Sequence, residues 1–246
     1  MSMKPVLLVI AHGSRDPRHA ATVHALVRRV RALRPDVRVE TGFLDFNIPS
    51  VQGVLESLAA QGVRDVVALP LLLTRAFHAK ADIPAVLRDA PPQLRIRQAE
   101  VLGPSPLLMA ALERRLYEAG LTPADKSSTG VVLASAGSTD PEAIAVIAEI
   151  AREWRHTGWC AVRPAFASAS LPRTEDAVRE LRELGCERVA VAPYVLAPGF
   201  LPDRIARGGA EADVLADVLG AAPEVARVLL ERYEAARVPV LAAVGA

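Results

Sequence analysis

Cysteine is the first scarcity in this 246-residue chain: Cys160 and Cys186 are the only two. They stand far apart, form no C-x-x-C, and have no histidine pair beside them, which excludes a thiolate zinc cluster or a disulfide scaffold and reads as a reduced, cytoplasmic setting. Long apolar runs are missing as well. The longest near the N-terminus, 6–11, is too short for an export signal or a membrane span and runs straight into His12-Gly13. Charge of one sign is not in excess, since 29 Lys and Arg against 28 Asp and Glu leave a formal net charge of +1. Such a balance offers no overall pull toward nucleic acid. Three familiar phosphate or nucleophile motifs are absent too: G-x-G-x-x-G after the first strand, G-x-x-x-x-G-K-[ST] and G-x-S-x-G. Dinucleotide, P-loop and hydrolase-elbow chemistries therefore lack their cradle or their turn.

What is present is a soluble globular composition, 51% hydrophobic and 23% charged, in a chain long enough for one large or two small domains. The chain also repeats itself. At an offset of 123, VETGFLDFNIPS (39–50) meets VRPAFASASLPR (162–173), and QGVRDVVALPLLLTRAFH (61–78) meets LGCERVAVAPYVLAPGFL (184–201). AHGSRDP (11–17) matches SAGSTDP (135–141), and VLGPSP (101–106) matches VLGAAP (218–223). Blocks in one order at nearly one offset mark a duplicated domain. The expected division is a first domain over 1–121, a Pro, Ser and Gly-bearing linker over 122–130 and a second domain over 131–246.

Each half alternates apolar strands with helices. In the first, PVLLVI, VRVETGFL, VRDVVALPLLL and LRIRQAEVL read as strands, with helices over 20–33, 50–60 and 106–119 and a short one near Ile83. The expectation is α/β: two tandem domains, each a four-stranded parallel sheet with helices on both faces. With the common order 2-1-3-4, strands 1 and 3 are neighbours, and ligands bind outside the carboxyl ends of the strands. His12 stands just past strand 1 and His78 just past strand 3, so two imidazoles distant in sequence share one crevice. Asp45, after strand 2, flanks it.

Two histidines and a carboxylate at a cleft suit a borderline divalent metal such as Fe, Co, Ni or Zn. Plainer uses exist: His12 as a turn cap, His78 as an exposed loop residue or helix-capping donor, Asp45 as a turn former before Pro49. His19, His24 and His156 lie in or beside Arg- and Glu-rich helices and read as solvated faces. The internal repeat separates these uses. Gly13, Ser14, Asp16 and Pro17 have counterparts in Gly137, Ser138, Asp140 and Pro141, whereas His12, Asp45 and His78 become Ala136, Ser168 and Leu201. Residues needed for folding should survive in both copies; these three occur in one. Gly13-Ser14 at a helix entrance could meet an anion through backbone N–H groups. Arg15, Arg75 and Lys80 surround the histidines and could meet carboxylates, or simply solvate their loops.

AHGSRDP, FLDFNIPS and PLLLTRAFHAKADIP, each after a strand, closely resemble the sirohydrochlorin chelatases of the class II chelatase family, which includes the siroheme-forming ferrochelatase and the cobaltochelatase of anaerobic cobalamin synthesis. The second half keeps only the skeleton, GSTDP and PYVLAPGFLPDRI. The resemblance implies a pair of flavodoxin-like domains with the tetrapyrrole between them, insertion of Fe2+ or Co2+, and no permanently bound cofactor. It assigns the family's two active-site histidines to His12 and His78 and its carboxylate to Asp45. The family usually carries Glu there, so Asp45 is one methylene short, and Glu40 is a substitute candidate. Substrate carboxylates give Ser14, Arg15, Arg75 and Lys80 a use, with Arg163 and Arg204 facing from the other wall. No His-rich tail or Cys-rich cluster motif is present, which tilts the choice toward iron and siroheme. The expected partners are the tetrapyrrole and a divalent metal, with no nucleic acid and no membrane, and the duplication favours a monomer. A metal- or tetrapyrrole-binding module without turnover stands as the alternative.

Overall fold

Strand β1 (Val6–Ala11) is buried at all six positions, the mark of a strand covered on both faces. In the computed structural model, which describes residues 4–75 and 81–237, β1 is central, with β2 (Val39–Phe43), β3 (Asp65–Pro70) and β4 (Arg95–Gln98) in the parallel order β2-β1-β3-β4. The second repeat builds the same sheet from β5 (Thr129–Ser135), β6 (Ala161–Phe166), β7 (Arg188–Tyr194) and β8 (Val214–Leu215), in the order β6-β5-β7-β8. Both orders are those expected from the sequence.

The helices are α1 (Pro17–Leu33), α2 (Val51–Ala60), α3 (Ile83–Arg88) and α4 (Pro106–Glu118) in the first repeat, and α5 (Pro141–Arg155), α6 (Thr174–Glu183), α7 (Phe200–Gly208) and α8 (Pro223–Arg237) in the second. Helix α1 starts three residues before the expected 20–33. The Asp16 side chain accepts from the Arg18 N–H at 2.9 Å, and Pro17 suits the first helical position, where its missing N–H costs nothing. Asp140 and Pro141 start α5 in the same way. The third strand is shorter than expected and ends at Pro70, so 71–73 leave the sheet as an apolar loop. Of the stretch 122–130, Pro123–Ser128 forms a 3-10 helix and Thr129 and Gly130 open β5.

Alternation along the strands sends two faces to two cores. Val6, Leu8 and Ile10 meet α2 and α3 on the outside of the first sheet, and Val132 and Ala134 meet α6 and α7 outside the second. Leu7, Val9, Val131 and Leu133 all belong to one inner cluster that crosses from repeat to repeat. Within it the last helix of each repeat covers the other's sheet: α4 packs on β7, while α8 packs on β3 and β4 and against α1 and α4. Polar contacts follow the exchange. The Arg232 guanidinium donates to the carbonyls of Val101 at 2.9 Å and Leu102 at 3.0 Å, and the Tyr233 hydroxyl donates to Pro5 O at 2.8 Å. Arg34 pairs with Glu234 at 2.5 Å and Arg114 with Glu224 at 3.0 Å. A boundary in sequence is therefore not a boundary in packing.

Cys160 and Cys186, unrelated in sequence, come together with their Sγ atoms 3.6 Å apart, and both are free thiols. Burial, then the contact with Cys160, pushes the Cys186 thiol up to about 11. No helix among the described residues is long and apolar enough to cross a membrane.

Because the inner core is shared, both repeats should unfold in one transition. Leu229→Ala in α8, a fully buried position, should lower that transition as a whole by about 2–5 kcal/mol in denaturant titration; two transitions, only one of them shifted, would contradict the shared core. Acid should loosen the exchange as well. Hydrogen bonding from Arg34, against a smaller burial penalty, holds the Glu234 carboxyl below its usual value. A depressed folded-state pKa gives stability that is present above the unfolded carboxylate range and lost as pH falls through the folded value. Glu234→Gln should accordingly flatten the acid limb of the stability curve.

Candidate active site

The site is built where β1 and β2 end. Past β1 the chain must turn sharply into α1, and it does so at Gly13 with φ +95°, a region that side chains with a Cβ rarely adopt. A Cβ on Gly13 would stand 1.9 Å from the Asp45 carbonyl oxygen. The loop after β2 therefore lies directly on the His12-Gly13 turn, and backbone bonds lock the two together: Leu44 N–H to Ala11 O at 3.0 Å and Asp45 N–H to His12 O at 2.9 Å. Ser14 N–H donates to Asn47 Oδ1 at 2.8 Å, and Ser14 Oγ accepts from Asp16 N–H at 3.1 Å.

The second repeat reproduces this frame. Gly137 has φ +92°, its Cβ would meet Ser168 O at 1.9 Å, Ser168 N–H donates to Ala136 O at 3.0 Å, and Ser138 Oγ accepts from Asp140 N–H at 3.0 Å. The two serine hydroxyls serve the turn in both copies, whereas the histidine and the carboxylate stand only in the first.

Between the repeats lies a cleft of about 320 Å³. His12, His19 and Thr22 line it from β1 and α1, the loop 71–74 from β3, and Ser138, Tyr194 and Leu201 from the other repeat. The loop residues that left β3 are thus its apolar wall. His12 stands 6.4 Å, centroid to centroid, from Phe46, over whose ring the Arg15 guanidinium sits at 5.2 Å.

Asp45 is exposed, and its carboxylate accepts from the Phe46 N–H at 2.8 Å rather than lining the cleft. Glu40 is no closer. It pairs in register with Leu8, three rungs before Ala11 and Phe43, so it lies about 10 Å back along the strand, and Arg38 donates to its carboxylate at 2.8 Å. Arg75 is exposed and held by Glu100 at 2.7 Å. Arg163 pairs with Glu180 of α6, on the outer side of the second sheet, which removes it from the expected wall. Arg204 lines a separate pocket between α6 and α7 with Arg173 and Arg207. His78 and Lys80 lie outside the described residues.

His19, expected from the sequence on a solvated face, instead lines the cleft. Its Nδ1 is buried without a hydrogen-bond partner, and burial, then the nearby His12, pushes its pKa down despite Asp16. It is accordingly neutral near neutral pH and keeps a lone pair to offer. The missed signal was Asp16-Pro17, which starts α1 early enough to put His19 in the first turn, beside the strand ends. Tyr194 also reaches this region with a buried hydroxyl that has no hydrogen-bond partner, and burial raises its pKa.

The CbiX family model matches residues 6–119 and 130–236, one match per repeat. The chain is 31% identical over 210 residues to the sirohydrochlorin cobaltochelatase of Priestia megaterium, covering 82% of this chain and 67% of that protein. It is 28% identical over 211 residues to the sirohydrochlorin ferrochelatase of Bacillus subtilis, covering 83% and 79%. The solved structure of SirB from Bacillus subtilis with Fe3+ superposes with a TM-score of 0.82 at 26% identity, over 96% of each chain.

Matched backbone frames with unmatched side chains yield a paired test. Gly13→Ala and Gly137→Ala should each destabilise the fold, since both add a Cβ against a carbonyl oxygen. Only Gly13→Ala should also weaken binding of Co2+ read by its absorption spectrum; equal losses of metal binding in both would separate His12 from the metal.

Proposed function

The chain belongs to the CbiX family, and on that premise we propose that it is a sirohydrochlorin chelatase, inserting a divalent metal ion into the tetrapyrrole with release of two protons. The observation that carries this reading is the inter-repeat cleft lined by His12, in a chain whose second repeat keeps the backbone frame but has Ala136 and Ser168 in place of His12 and Asp45. Likeness to both a ferrochelatase and a cobaltochelatase supports Fe2+ or Co2+ as the metal substrate. Fe2+, for siroheme, is the first choice and Co2+ the second.

Insertion needs a site that strips water from the cation, holds it by the ring and takes up two pyrrole protons. Neutral imidazoles do the first two, and an imidazole or carboxylate of suitable pKa does the third. We assign His12 and His78 to the metal and to proton acceptance. Asp45 assists from the rim, its carboxylate held on the Phe46 N–H. His19 adds a further neutral nitrogen to the same cleft. Arg15, Arg75 and Lys80 meet the substrate carboxylates from the first repeat, with Ser14 contributing through its turn. The apolar loop 71–74 and the facing residues of the second repeat exclude water, which strengthens every polar contact inside.

With metal-free sirohydrochlorin and Fe2+ or Co2+, the protein should change the visible spectrum faster than the protein-free mixture. His12→Ala and His78→Ala should each cost about 10²-fold or more in rate, and Asp45→Ala less. Wild-type rates in both histidine variants would refute the assignment. Stoichiometric metal uptake without faster insertion would mean a binding module instead.

A further inference from the structure

The cleft measures about 320 Å³, at the bottom of the roughly 300–1,000 Å³ span of small-molecule sites. A four-ring macrocycle bearing many carboxylates needs the larger end of that span, so its arms extend past the edges of the cleft. An ion pair beside the cleft joins the two repeats. Arg18 Nη2 lies 2.6 Å from Asp203 Oδ2, joining the first turn of α1 to the first turn of α7. The neighbours on both sides, His19 and Thr22 on α1 and Leu201 and Pro202 on α7, line the cleft itself.

Two features make this bridge exchangeable. Arg18 has a second partner within its own repeat, with Nη2 2.6 Å and Nε 3.1 Å from Asp16 Oδ2, so it stays positioned when Asp203 leaves. Both Arg18 and Asp203 are about half exposed, 51% and 44%, and exposed pairs contribute little stability. Nor does the fold demand Arg18. The cap residue Asp16 is copied as Asp140, whereas the counterpart of Arg18 is Glu142.

We propose that Arg18 is a binding residue for a substrate carboxylate: an arm of the entering tetrapyrrole replaces Asp203 on the Arg18 guanidinium at the edge of the cleft. This rests on the chelatase reading. Asp203 acts as a placeholder that a stronger, multiply charged carboxylate ligand can displace, which favours polycarboxylate macrocycles over poorly charged ones.

The test compares wild type, Arg18→Gln, Asp203→Asn and the double variant, in steady-state insertion of Co2+ into sirohydrochlorin and in equilibrium binding of the metal-free tetrapyrrole. Far-UV circular dichroism melts check that each variant is folded. Arg18→Gln should raise KM and the dissociation constant by about tenfold or more, as expected for the loss of a charge-assisted hydrogen bond, with the larger part of the loss in KM rather than kcat. Asp203→Asn should lower both constants, because the guanidinium is no longer occupied, and the double variant should match Arg18→Gln. An unchanged KM in Arg18→Gln, or an Asp203→Asn that weakens binding as much as Arg18→Gln, would overturn the anchor while wild-type insertion still supported the chelatase reading. No acceleration and no tetrapyrrole binding by wild type would overturn that reading and the anchor with it.

Discussion

A backbone carbonyl occupies the space where Gly13 would carry a side chain. That close approach fixes the rest of the site, because it joins the turn after β1 to the loop after β2 through main-chain groups alone. His12 is held at this joint through its main chain, its carbonyl accepting from the Asp45 N–H. The same joint at Gly137 and Ser168 holds together a turn with no chemistry in it. Geometry and chemistry are therefore separable here: the frame is a property of the fold, and the candidate site residues His12 and Asp45 stand on one of its two copies.

The cleft owes its existence to the exchange of the last helices. If α4 and α8 covered their own sheets, the two repeats would meet through a surface and could slide or rotate. Each instead places a helix in the other's core, and buried residues such as Leu229 and Tyr233 belong to a cluster spanning both. Close-packed interiors resist deformation, so the relative placement of the two walls is set by the core, and movement is left to the strand-end loops and first helical turns. The Arg18–Asp203 pair lies in that movable layer.

Much of this was legible in the letters. The strands, the helical stops and the asymmetry of the repeat followed from apolar runs, glycines and an internal comparison, and the strand order from the order common to such sheets. The misses have physical reasons. Leu71, Leu72 and Leu73 read as strand because they are apolar, but their apolarity serves the cleft wall. A hydrophobic stripe says that a helix covers a sheet without saying whose, so the exchange left no trace in sequence. Arg163 could have been placed: it shares strand parity with Ala161 and Ala165, which pack outward toward α6, and side chains two apart point the same way. Asp45 and Glu40 were harder, because register and a local bond to the next N–H decide where a carboxylate points.

The asymmetry also fits the geometry of the proposed reaction. A cation has to reach a flat ring from one face, and a matching set of ligands on the opposite wall would compete for it and hold it away from the ring nitrogens. In the second repeat the counterparts of His12 and His78 are Ala136 and Leu201, both lining the cleft. Both apolar, they would offer a dry surface to the other face of the macrocycle in the proposed reaction, where contact is favourable in proportion to the area removed from water. Under the proposed reaction the first repeat would give the cleft its metal side and the second its ring side. Arg18 and Asp203, unlike in charge and drawn one from each repeat, then stand at the seam between them, where an entering carboxylate first meets both.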